Sequence, residues 1–145
     1  MLADYVGQRV RRRLRPDRLD TAHPTLTRHG DRVAEQVGQL RATAEKLLRI
    51  HGSDIQTQQR QQKRLTHAAT DIYAQIATIS RTTALLDNQG VEASGQEHAI
   101  ATSFCDRAAT RVAEQFDRID DNDDAQTHAI ARLTYNRGGY TPRLP

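Results

Sequence analysis

The sequence predicts an all-α fold: an antiparallel helical bundle of three long helices plus a short C-terminal one, preceded by a basic amphipathic helix. Three observations carry this reading. Apolar residues recur three and four apart through nearly all of the 145 residues, the period of a helix with one buried face. No run alternates in the manner of a half-buried strand. Breaks at Pro16, at Gly52 and at the turn NQGVEASG (residues 88–95) divide the periodic runs into helix-sized pieces.

The elements follow in order. In residues 1–15, Leu2, Val6, Val10 and Leu14 recur every four residues with Tyr5 beside them, and arginines fill the other faces. Pro16 ends this run, because proline disfavours helical geometry at the preceding residue. Residues 16–22 form a linker, residues 23–137 the bundle domain and residues 138–145 an irregular tail. The first bundle helix spans about Pro24 to His51. Pro24 suits a first turn, where its missing N–H costs nothing, and Gly52 suits the C-terminal cap. Leu26, Val33, Val37, Leu40, Ala44 and Leu47 form its expected buried stripe. Ser53 and Gln56 have capping-box spacing and open the next helix. Its stripe is Leu65, Ala68, Ala69, Ile72, Ile76, Ile79 and Thr83. Its lead-in, QTQQRQQK at 56–63, has no apolar face and is expected in solvent or against a polar partner. Ser94 and Glu97 form a second capping box, followed by the stripe Ala101, Phe104, Cys105, Ala108, Val112, Phe116 and Ile119. The acidic run DDNDD at 120–124 breaks this helix. A short last helix carries Ala129, Ile130 and Leu133, with Asp123 and Asp124 at its positive N-terminal end. Ile72 and Ile76 are expected at the centre of the seam, facing Val37, Leu40, Val112 and Phe116.

Composition narrows the chemistry. Hydrophobic residues are 37% and aromatic residues 4%, with one Met and no Trp, so the core must be aliphatic and rich in alanine. One cysteine excludes an internal disulfide framework and a cysteine-based zinc site. No apolar run approaches the ~18 residues of a membrane-spanning helix. Arginines occupy residues 1–15 where a signal peptide would need its apolar stretch. The expected location is therefore intracellular, cytoplasmic or peripheral on the inner membrane surface. The net charge is +3, with 19 Arg and 2 Lys against 18 acidic residues. Residues 1–18 hold six Arg against Asp4 and Asp17, a balance of +4, so the remaining 127 residues balance at −1. A basic end on a near-neutral body calls for an anionic partner at that end.

Catalytic signatures are nearly absent. No two of the six histidines have the i, i+4 spacing of a zinc hydrolase helix. A calcium loop begun at Asp120 would need Gly and Glu where Ala125 and Ala131 stand. Cys105 sits on an apolar stripe and reads as a small core residue. Gly138 and Gly139 lack the strand–turn–helix context of a dinucleotide loop. Arg64, Asp71 and Arg81 are candidates for ion pairs between helices, and Glu97 has a local explanation as the capping partner of Ser94. The basic helix, with Leu2, Val6, Arg9, Val10, Arg11, Arg12, Arg13 and Leu14, admits three readings. It lies apolar edge down on an anionic bilayer, neutralises nucleic-acid phosphates, or packs on protein. Tyr5 as its one aromatic weakens a base-stacking surface.

The string RLTHAATDIYAQIATISR at 64–81 resembles a segment of the C-terminal helical domain of the very-long-chain acyl-CoA dehydrogenase family. The resemblance rests on Arg64, Leu65, Ala69, Asp71, Ile72, Tyr73, Ala74, Ser80 and Arg81. It continues through Glu97, Phe104, Cys105, Ala108 and Ala109, and through Arg137, Gly138 and Gly139. Upstream, HPTLTR at 23–28 and the Arg11–Arg13 cluster fit the same order. Gln75, Ala101 and the Gln-rich lead-in depart from the family's more apolar pattern. The resemblance implies a flavoprotein oxidoreductase of fatty-acid β-oxidation as parent. Such enzymes are dimeric and use FAD to remove hydrogens from Cα and Cβ of long-chain acyl-CoA. Their extra C-terminal domain is associated with membrane attachment and with packing on the core. The catalytic Glu, the flavin site and the acyl cavity belong to the core, so no catalytic, cofactor or metal residue carries over to this chain. The implied partners are an acyl-CoA dehydrogenase core, in cis or in trans, an anionic membrane surface and a second copy in a homodimer. An alternative is an independent Arg-rich helical module that binds nucleic acid or a protein partner.

Overall fold

The computed structural model describes residues 21–139. The predicted basic helix, the linker up to residue 20 and the tail from residue 140 lie outside the described residues. Four α-helices are present: α1 (Thr27–His51), α2 (Gln59–Gln89), α3 (Gly95–Asp120) and α4 (Asp124–Asn136). The described residues contain no strand, and the all-α expectation holds.

A 3₁₀ turn over Pro24–Leu26 leads into α1. The ring of His23 accepts the backbone N–H of Thr25 at 3.3 Å, satisfying a donor that has no partner within the helix. The His23 N–H itself donates to Thr83 Oγ1 of α2 at 3.0 Å, which fixes the start of the bundle against the far end of the next helix. Helix α1 ends at Gly52, whose φ of +55° returns its N–H to the Leu48 carbonyl. Residues other than glycine reach that conformation at a cost.

Neither expected capping box forms. Residues Gly52–Thr57 tighten into a 3₁₀ run, and α2 starts at Gln59 rather than after Ser53. Thr57 Oγ1 donates to the Asp54 carbonyl and the Gln58 N–H to the Ile55 carbonyl. These local bonds compete with the capped helical start. At the next corner Ser94 is fully buried, and its hydroxyl turns to the Leu85 carbonyl at 3.5 Å. It therefore ties the corner to α2 instead of capping α3, and Glu97 is left exposed.

The most extensive seam joins α2 to α3. Ala68, Ile72, Ile79 and Leu86 from α2 meet Cys105, Val112 and Phe116 from α3 in one buried cluster, which Leu26 of the 3₁₀ turn and Val33 of α1 complete. The expected stripes of α2 and α3 are largely the buried ones. That of α1 is buried at Leu26, Val33 and Leu47, and departs from the expectation at Val37. Val37 is 36% exposed, whereas Gln36 is buried and accepts a hydrogen bond from Gln75 Nε2 at 3.0 Å. A buried amide left unpaired would cost several times what a partly wet valine loses, so the polar pair sets the rotation. Ile72 lies in the seam as expected. Ile76 packs at its edge and is partly buried.

Ile72→Ala is expected to destabilise the fold by ~2–5 kcal/mol. Ile76→Ala is expected to cost less, about 1–2 kcal/mol, because part of its surface is already wet. Denaturant melts of the two variants check the order, and equal losses would contradict this packing.

Candidate functional site

Helices α1 and α2 each face α3 with charge. Arg32 of α1 donates to Asp106 at 2.7 Å and Lys46 to Asp120 at 2.6 Å. Asp71 of α2 receives Arg111 at 2.6 Å. At the other end Arg64 clamps Asp124 with two bonds of 2.6 and 2.8 Å, and Arg60 adds a third at 3.2 Å. The Arg64 hydrogen bond, with that of Arg60 behind it, holds the Asp124 carboxyl below the usual carboxylate range. The exposed pairs among these contribute at most about 1 kcal/mol each. Their geometry, more than their energy, fixes which flank of α1 and α2 turns toward α3 and where α4 begins. The Gln-rich lead-in meets a polar partner as expected, with Gln61 donating to the Ile119 carbonyl at 3.2 Å.

The predicted family residues separate by role. Arg64 and Asp71 are the ion-pair residues just described. Arg81 is exposed and makes no ion pair among the described residues. Tyr73 is 72% exposed on the outer side of α2. Cys105 is fully buried, and burial with the nearby Asp106 charge pushes its thiol up to about 11, which fits a packing role.

Sequence reasoning missed His29, which is buried beside Arg32 and Asp106 with both ring nitrogens lacking a hydrogen bond. Its nearest ionic neighbour is Asp106 Oδ1, at 3.5 Å. Its place on the Leu26–Val33 stripe was the available signal. Burial lowers the His29 pKa despite the opposing pull of Asp106. Arg32 holds the Asp106 carboxyl below its usual range.

Helix α4 forms where the sequence places a short last helix. It buries no residue, and Ile130 and Leu133 are each 56% exposed. The Arg60/Arg64 clamp on Asp124 holds its start, while its apolar face has no cover among the described residues. No group of three or more His, Cys, Asp or Glu side chains gathers to hold a metal among the described residues. No described helix is long and apolar enough to cross a membrane. What the described residues build is a helical bundle fixed by inter-helix ion pairs, with apolar faces turned outward.

Comparison with known proteins assigns that bundle. Residues 24–140 match the family model described as ACAD9/ACADV, C-terminal domain. The chain belongs to this family. It is 27% identical over 128 residues to the rat (Rattus norvegicus) very long-chain specific acyl-CoA dehydrogenase, mitochondrial, and 29% identical over 128 residues to the mouse (Mus musculus) protein of the same description. The human (Homo sapiens) protein is 26% identical over 128 residues. Each alignment covers 85% of this chain and 19% of the relative. The chain thus spans about a fifth of the length of the curated relatives that it matches.

Stability is expected to fall on acidification in two stages. His29 binds its proton more readily in the unfolded chain, so stability is lost as pH drops below its unfolded value of about 6.5 toward its lower folded one. Asp106 and Asp124 add a second loss as pH falls from about 4 through their depressed folded values. His29→Leu should remove the first stage and leave the second. Thermal melts across pH 3–8 check this, and an unchanged slope near pH 6 in the variant would contradict it.

Proposed function

We propose that this chain acts as the accessory C-terminal domain of an FAD-dependent acyl-CoA dehydrogenase of long-chain fatty-acid β-oxidation. It supports the catalytic core, and residues 1–15 hold it to an anionic membrane surface. The family match over residues 24–140 carries the reading. The outward apolar face of α4 supports it, because a 13-residue helix is marginal in water without a packing partner. The core supplies the flavin, the base and the acyl cavity, while this chain supplies packing surface and location. Five arginines in residues 1–15 beside a thin apolar edge, with Arg18 just beyond, favour reversible attachment. Each contributes about 1 kcal/mol near an anionic surface, within a Debye length of ~8–10 Å. The intracellular membrane face is the matching location.

The purified chain is expected to bind no FAD and to oxidise no acyl-CoA; stoichiometric flavin absorbance would contradict this. Sedimentation with anionic vesicles is expected, with Val6→Asp or Val10→Asp abolishing it because the apolar edge must enter the bilayer. Tight binding to duplex DNA or RNA at the same ionic strength, without vesicle association, would favour the nucleic-acid reading instead.

A further inference from the structure

The pairs to α3 leave one flank of the bundle uncovered. On α1, Val37, Ala44 and Leu48 fall within about 20° of one line at roughly 100° per residue. This line points away from Arg32 and Lys46, which reach α3. On α2, Ala69, Tyr73, Ile76, Ser80 and Ala84 fall within about 40° of a line opposite Asp71, which also reaches α3. The Gln36–Gln75 bond puts Val37 and Tyr73 at nearly the same height. Both flanks therefore border one groove along the α1/α2 seam, on the side remote from α3. Val37, Leu48 and Tyr73 are exposed there. At its upper end the groove deepens into a half-open cavity of about 240 Å³, lined by Ile76, Ser80 and Ala84 on one side and by Thr21 and Ala22 on the other.

We propose that this groove seats the chain's own residues 2–14, apolar edge inward, as a fourth helix of the bundle. Four observations select this occupant. Thr21, the first described residue, already lines the cavity, so residues 16–20 have only to cross the groove's end, and five residues reach up to ~17 Å. A helix of residues 2–14 is about 20 Å long, which matches the ~17 Å from Ala84 back to Tyr73 on α2. Its edge of Leu2, Val6, Val10 and Leu14 complements small, apolar lining residues. Its arginines complement an acidic group at the groove's end. Asp87 lines the cavity. The inference goes beyond the accessory-domain reading and does not rest on it. Where both hold, seat and bilayer compete for one apolar edge, so docking regulates membrane attachment.

The test uses the full chain in dilute solution without lipid. Val10→Cys combined with Ser80→Cys should give, on mild oxidation, an intrachain disulfide that runs fast on a non-reducing gel. Val10→Cys combined with Glu114→Cys, on the outer side of α3, should not. Cys105 is buried and does not interfere. Deleting residues 1–20 should lower the melting midpoint by several degrees. Val10→Asp should lower it in the full chain, and Tyr73→Glu should lower it only while residues 1–20 are present. Absence of the disulfide together with an unchanged midpoint on truncation overturns the proposal. Disulfide-linked dimers in place of the intrachain species also overturn it, by making a second copy the occupant. Vesicle binding tests the membrane reading separately, so the two can fail independently.

Discussion

The close approach of α2 and α3 is the constraint on which the rest depends. A chain without tryptophan and with few aromatics cannot fill a wide interior, so its two central helices must lie near one another. Ala101, Cys105 and Ala108 on α3 and Ala68 on α2 are buried and small, and they let larger aliphatic neighbours interdigitate at ordinary core density. Once this seam is set, α1 has one place to go, over Ile72, Ile79 and Val112. Its rotation is fixed by the Gln36–Gln75 bond on one side and by Arg32 and Lys46 on the other. Polar groups thus act mainly on geometry. Single exposed ion pairs add little stability, whereas a rotated α1 would strand a buried amide.

Much of this was legible in the chain. The stripes of α2 and α3 could be read because their spacing is regular and their buried positions are almost all apolar. The stripe of α1 misled at Val37 because a glutamine takes the buried place beside it, and an apolar count cannot register an amide that finds its partner 39 residues away. The capping boxes misled for a related reason. Ser53 and Ser94 have the right spacing, but the corners offer competing carbonyls at Asp54, Ile55 and Leu85. Pairs such as Arg32–Asp106 are set by tertiary register. For Arg64 and Asp71 the residues could be picked from their helix flank, though not the partners Asp124 and Arg111. The short last helix was readable as a helix, but its Ile130 and Leu133 face outward because the bundle is already closed.

The interior is closed, while Ile130 and Leu133 on α4 and Val37, Leu48 and Tyr73 on α1 and α2 stay exposed. The family assignment fits that physical picture. The described residues concentrate their chemistry on holding helices in register, and their unused apolar area lies on α4 and along the α1/α2 seam.

Amide hydrogen exchange, with and without a matching acyl-CoA dehydrogenase core, tests the central claim most directly. The account predicts the slowest exchange along Ala68–Leu86 and Cys105–Phe116 in the isolated chain, and fast exchange in α4, whose bonds open without exposing core. Adding the core should slow exchange around Ile130 and Leu133 and leave the α2/α3 seam unchanged. Fast exchange in the seam, or no protection of α4 when the core is added, would contradict it.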